Sequence, residues 1–361
     1  MLRIGSSRVV GCVSAPRHSV AVLACRPLAA PCLHPQRTVF TVPSSSFTPP
    51  TLDGKLPPFA DEVLRGVGQV TFCNSPTSGA LMLASLCYGD PWLALLATTG
   101  TVSATATART LGVDSGAISN GLAGYNGMLV GCAFSVFLGL APGAPSAVAA
   151  TIAGAALTVP ATQLFGPACA PVPQWTWAFN ATTLAFLLCV KPLAGAAAAD
   201  PSVAIGLSGW LCAPLVGVSQ IFVVGDAVSG ALALGAIAAY SPGCALATLW
   251  GSTVGMGTAA LLGAAPAEIG FGLWGFNPAL TALAISVFYV PTPAAAALAT
   301  GGAVATTALF GGMKGVAAGA LGVPALTLPF CAVATLCYLA QGRAPGLVLA
   351  AAPHSPEKNT I

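Results

Sequence analysis

The chain has 361 residues and a formal charge of +3; hydrophobic residues make up 56% of it and charged residues only 6%, and its mean hydropathy is +0.85. These values exclude a soluble globular domain that folds in water around one core. An integral membrane protein surrounded by lipid is expected, with no nucleic-acid partner.

In chain order, residues 1–58 stand apart. Arg3, Arg8, Arg17, Arg26 and Arg37 precede the first acid, Asp53, among many Ser and Pro. Such a composition cannot bury enough apolar surface to fold alone. It reads either as a disordered cytosolic tail or, being rich in Arg and Ser and poor in acids, as an organelle transit peptide. The first reading puts the protein in the plasma membrane and the second in an organelle envelope. The excess of Arg also favours the cytoplasmic side for this end.

The next segment, residues 61–73, follows Pro57-Pro58. At 1.5 Å per residue it cannot cross a hydrocarbon core of about 30 Å, so a re-entrant half-helix is predicted. Crossings follow at 76–89, 91–112, 115–138, 144–162 and 174–191, completing a unit over residues 59–200. A second unit, residues 201–343, has a half-helix at 211–224 and crossings at 227–240, 242–263, 266–289, 293–313 and 324–341. Residues 344–361 are expected to be a disordered C-terminal tail. The ionisable residues between Asp61 and Arg343 sit mostly at segment ends, where a hydrocarbon core tolerates them.

The two units are copies of one another. Residues 65–137 lie over 216–288 without a gap, matching Gln69 with Gln220, Ser78-Gly79-Ala80-Leu81 with Ser229-Gly230-Ala231-Leu232, Pro91 with Pro242, and Asn126 with Asn277. At the same offset Thr176 falls on Thr327. Five crossings per unit is odd, so the second copy must start from the opposite side of the membrane. The expected fold is an all-α polytopic membrane protein of two inverted five-helix repeats, each with a re-entrant pore half-helix, ten transmembrane helices in all. Sites in such folds lie at the midplane, where broken helices of both copies meet.

Chemistry-bearing groups are sparse and neutral. GLAGYNGMLVG (121–131) and GLWGFNPALTA (272–282) break apolar runs with glycines, which membrane depth tolerates only where protein or a water-lined cavity satisfies the freed backbone. After each break an aromatic, Tyr125 or Phe276, shares a helix face with a leucine four residues on, Leu129 or Leu280. Gln69 and Gln220 add an amide per copy, and Thr176 and Thr327 a hydroxyl. These groups suit a flat, uncharged, hydrogen-bonding solute such as urea, whose dehydration costs several kcal/mol unless replacement partners are supplied. The cysteines form no C-x-x-C pair, and the histidines are His18, His34 and His354, all outside the apolar segments. No metal, no cofactor and no enzymatic chemistry are expected.

LRGVGQVTFCNSPTSG, GLAGYNGMLVG, GLWGFNPALTA and TLPF, spread over about residues 60–341, resemble the signature segments of the urea transporter family. The resemblance implies a homotrimer with one pore per subunit and passive urea permeation through a continuous selectivity filter. It implies Gln69 and Gln220 at the two outer filter sites, Phe72, Tyr125, Leu129, Ile221, Phe276 and Leu280 as the slot, and Thr176 with Thr327 at the centre. The departures are GVSQ before the second filter, Val223 where the first copy has Phe72, Pro278 after Asn277, and TWAF without the proline of TLPF.

Plainer roles compete with these. A glutamine in an apolar helix often only bonds a neighbouring helix, a threonine its own backbone, and Glu268 suits a helix N-terminus. The functional alternative is an ion-coupled secondary transporter of urea or another small neutral amide, using Glu268 or Asp226.

Overall fold

The computed structural model describes residues 51–190 and 205–361. The Arg-rich leader up to residue 50 and the seam between the two units, residues 191–204, lie outside the described residues. Among the described residues, seven helices form the first half: α1 Pro58–Gln69, α2 Pro76–Gly89, α3 Pro91–Thr110, α4 Ser115–Ser119, α5 Tyr125–Phe137, α6 Pro145–Cys169 and α7 Trp177–Val190. Seven more follow: α8 Leu207–Ser219, α9 Ala227–Tyr240, α10 Pro242–Leu261, α11 Pro266–Gly270, α12 Phe276–Phe288, α13 Pro293–Val316 and α14 Leu328–Leu339. α8 runs on into a 3-10 turn, Gln220–Phe222, and α13 into a π turn, Ala317–Leu321.

Local chemistry explains where the helices start. Proline fits the first turn, where its missing N–H is not needed, and it opens α2, α3, α6, α10, α11 and α13. A polar side chain just before accepts an otherwise orphaned N–H: Asp90 from Trp92 and Leu93 at 2.9 and 3.0 Å, Ser241 from Cys244 at 3.0 Å, and Thr292 from Ala295 at 3.1 Å. Asp226 caps α9 in this way through Ser229 N at 2.6 Å. Close helix approach then depends on glycine. A Cβ on Gly79 of α2 would stand 1.8 Å from the Leu64 carbonyl of α1, and one on Gly230 of α9 1.9 Å from the Leu215 carbonyl of α8.

The halves meet along α2 and α9. Ser78 Oγ donates to the Ala236 carbonyl, and Ser229 Oγ donates to the Ser85 carbonyl at 3.2 Å. The same two positions of each copy thus exchange bonds across the seam. The largest apolar core draws on both halves, with Tyr125, Leu129 and Phe179 packed in one cluster with Phe222, Leu280 and Phe330.

Among the described residues, three helices are long and apolar enough to cross a bilayer singly: Pro145–Cys169, Pro242–Leu261 and Pro293–Leu321. Leu207–Phe222 and Ala227–Tyr240, bent by 73°, make a fourth candidate if taken as one span. The crossings expected at 115–138 and 266–289 are interrupted, as α4 then α5 and α11 then α12. α3 equals α10 in length, but its run of threonines lowers its hydropathy.

The C-terminal residues 344–361 differ from the disordered tail expected. Val290 N donates to Val348 O at 3.0 Å and Ala350 N to Phe288 O at 2.9 Å, beside an antiparallel bridge between Tyr289 and Leu349. Asn359 Nδ2 donates to the carbonyls of Ser286, Val287 and Tyr289. Ser286 and Val287 lie in the last turn of α12 and Tyr289 caps it, where a helix leaves its final acceptors unpaired; the segment is ordered because it supplies their donors.

Candidate functional site

Gln69 ends α1, and its Nε2 donates to the Asn120 carbonyl at 2.8 Å. Gln220 caps α8 at its C-terminal end, and its Nε2 donates to the Phe271 carbonyl at 2.9 Å. Asn120 and Phe271 close α4 and α11, so each amide is tethered to the break between a short helix and the next. Glycine is required there. Gly121 and Gly272 take φ of 74° and 79°, and a Cβ on either would meet the backbone at Arg65 or Val216 at 2.5 or 2.7 Å. The tether spends an amide N–H and leaves each Oε1 as an acceptor.

Just beyond each glutamine the chain turns through a left-handed residue that is not glycine: Phe72 at φ 57° and Val223 at φ 64°. A second equivalent pair, Trp175 at 47° and Leu326 at 49°, precedes the two threonines. Bulky residues in this region cost of order 1 kcal/mol or more each and persist where surrounding structure holds them. Their recurrence at matched positions marks the site in both halves.

Thr176 and Thr327 Oγ1 atoms meet at 2.7 Å, both buried. Asn180 holds the pair, with Nδ2 donating to Thr327 Oγ1 at 2.9 Å and to Thr176 O at 2.9 Å, and Oδ1 accepting from Thr327 N at 3.1 Å. Cys331, equivalent to Asn180 in the second half, lies with Sγ 3.1 Å from Thr176 Oγ1. Two further asparagines serve the first turns of α7 and α14. Asn126 and Asn277 accept from Phe179 N and Phe330 N at 3.2 and 3.3 Å.

A cavity of about 470 Å³ is lined by Gln69, Phe72, Tyr125 and Thr176, together with Trp175, Phe288, Phe330 and Tyr240. Its aromatic wall is edge-to-face: Trp175 stands 6.3 Å from Phe72, 5.4 Å from Phe288 and 5.7 Å from Phe330. Four of the ten expected site residues therefore share one space. Leu129, Ile221, Gln220, Leu280 and Thr327 are buried and off that wall. Phe276 is half-buried, 5.7 Å from Phe310. Tyr125 and Phe276 differ in one group, since the Tyr125 hydroxyl donates to the Trp175 carbonyl at 2.5 Å. In the second half Asn277 Nδ2 serves the equivalent Leu326 carbonyl at 3.1 Å.

Sequence reasoning passed over Trp175, Asn180 and His354. Trp175 carried a signal, standing next to Thr176 where Leu326 stands next to Thr327. An asparagine in the middle of the apolar stretch of α7 was the signal for Asn180.

Charge is kept off the site. Arg109 grips Glu62 through two bonds of 2.8 and 2.7 Å, and Arg65 pairs with Asp53 and Asp61. Glu268, a candidate coupling carboxylate, pairs with Lys314 and accepts from Trp274 Nε1 at 3.1 Å. Asp226, the other, is the cap of α9. Both have structural work that accounts for them.

Comparison with known proteins places this chain among relatives. A family model described as urea transporter matches residues 60–342. Urea transporter 1 of Ovis aries is 33% identical over 301 residues, covering 78% of this chain and 76% of the sheep protein. Urea transporter 1 of Rattus norvegicus is 32% identical over 300 residues with the same coverage. The duplicated amides, the strained turns and the paired threonines all fall within the matched span, and the chain belongs to the urea transporter family.

Proposed function

We propose that the protein is a passive urea channel whose filter is neutral from end to end. The observation that carries this reading is the matched pair Gln69 and Gln220, each tethered through its N–H to a helix break with its oxygen left to accept. Urea presents N–H donors on both nitrogens, and amide oxygens at the two ends replace water for them. The slot between is assigned to Phe72, Tyr125 and Leu129 from one half and Ile221, Phe276 and Leu280 from the other, where ring faces and leucines admit a planar solute. Thr176 and Thr327 form the centre, and an apolar slit excludes hydrated ions.

We also infer that the halves are inverted about an axis in the membrane plane, with ten crossings. Supporting this is the exchange of serine bonds between α2 and α9, which a two-fold relation between the copies generates. The protein is proposed to be a homotrimer in the plasma membrane, each subunit with its own pore. Stopped-flow urea efflux from proteoliposomes tests the function: saturable flux well above lipid leak is expected, and flux no greater than leak overturns it.

A further inference from the structure

Two residues on the wall of the Gln69 cavity come from neither repeat's pore segments. Pro353 and His354 belong to the C-terminal segment, yet they line the same space as Gln69, Phe72 and Tyr125. The His354 ring stacks on Tyr240 with centroids 5.1 Å apart and planes at 9°. Tyr240 Oη lies 3.0 Å from His354 Nδ1.

This ring is held from several directions. His354 N donates to Asn359 Oδ1 at 2.9 Å, while Asn359 Nδ2 is fixed on the carbonyls at the C-terminal end of α12. Glu357 accepts from Ser241 Oγ and Gly243 N, both at 2.6 Å, which pins the strand to the start of α10. Thr292 Oγ1 donates to Gly346 O at 2.9 Å at the segment's other end. A buried asparagine with all its bonds made and a carboxylate at a helix N-terminus are specific anchors. The other mouth lacks the partner ring, because Gly89 stands at the position equivalent to Tyr240. A Cβ there would already meet Ser229 Oγ at 2.4 Å.

We propose that residues 342–361 form a strap over the Gln69-side mouth, and that the His354 ring on Tyr240 is an outer size filter deciding which substituted ureas reach Gln69. The proposal rests on the channel reading above. Methyl groups on a urea nitrogen widen the solute in its own plane, and a rim built of two stacked rings cannot yield without breaking the anchors beneath it.

The test compares urea, N-methylurea and N,N′-dimethylurea permeation in proteoliposomes of the full chain. His354→Ala is expected to raise the dimethylurea-to-urea permeability ratio roughly threefold or more, while His354→Phe, which keeps a flat ring on Tyr240, retains the wild-type ratio. An unchanged ratio in His354→Ala, with urea flux intact, overturns the outer filter alone; a wild-type protein that passes no urea overturns the channel reading and the filter with it. Should His354→Ala fail to fold, carbethoxylation of His354 in a His18→Gln/His34→Gln background adds bulk at the rim instead. Roughly threefold slower urea flux is then expected, and undiminished flux through fully modified protein overturns the proposal.

Discussion

Gln69 and Gln220 combine two duties, since the N–H that holds each side chain on Asn120 or Phe271 also aims the oxygen beside it. Leucine at either position removes the acceptor and leaves a break carbonyl unpaired, while keeping the apolar bulk. Gln69→Leu and Gln220→Leu are each expected to lower urea flux by about tenfold, the scale of one lost solute hydrogen bond. Assembly by size-exclusion chromatography should be unchanged. Wild-type flux in both variants removes the amides from the filter. These glutamines were legible because they recur at matched places on two short segments. The Thr176–Thr327 bond was legible only as an equivalence, since an offset says which residues correspond and not that they touch. Asn180 was missed for a related reason: its equivalent is Cys331, so it broke the pattern that drew attention elsewhere.

Helix starts were the most readable elements, because proline and a capping oxygen act within a few residues of one another. The starts at Pro76, Pro91, Ala227 and Pro242 follow directly from that chemistry. Breaks within 115–138 and 266–289 were visible as glycine clusters, yet their division into separate helices depends on Arg65 and Val216 pressing against Gly121 and Gly272 from another element. Contact of this kind sets the stability of α1 and α8. Gly79→Ala and Gly230→Ala drive a methyl into a carbonyl of the neighbouring helix, and each is expected to destabilise by roughly 3 kcal/mol. Gly235→Ala, on the open face of α9 with nothing within 4 Å, should be neutral or stabilising by up to about 1 kcal/mol. Thermal melts in detergent check both, and equal effects at the three positions contradict this packing.

The C-terminal strap is the element that composition hid, because its polar residues resemble a tail until their partners on α10 and α12 are known. Its anchors titrate. Burial raises the Glu357 carboxyl, but bonds from Ser241 and Gly243 outweigh this and hold it below its ordinary value. Burial, then Lys358, lowers the His354 imidazole, against an opposing pull from Glu357. Both folded values are depressed, so both contributions are present above the unfolded values and are lost as pH falls through the folded ones. Hydrogen-exchange protection of Gly243 N–H, corrected for intrinsic rate, is expected to decline below about pH 6.5 and again below about pH 4.5. Protection that stays flat across this range argues against the two anchors.

At the scale of the whole molecule, duplication explains why so few polar groups suffice. One set of amide, aromatic, strained turn and hydroxyl occurs twice, and in the proposed filter it furnishes two ends and a shared centre. The copies have since diverged at Phe72 and Val223, Trp175 and Leu326, and Tyr240 and Gly89, and these differences concentrate aromatic rings at the Gln69 mouth. Lipid-facing length was the least readable property. Composition places the chain in a membrane, but the crossing proposed for α4 with α5 is an interrupted helix that needs neighbours to complete it, and hydropathy along one segment does not reveal such crossings.

Glu268 paired with Lys314, Asp226 spent as the cap of α9 and the neutral filter proposed above together imply that urea moves down its own gradient and nothing else drives it. The most direct measurement is urea flux through the reconstituted protein at a fixed urea gradient, with proton or sodium gradients imposed in either direction. One saturable flux, unaltered by either ion gradient, is expected. Flux that rises, falls or reverses with the ion gradient would contradict it.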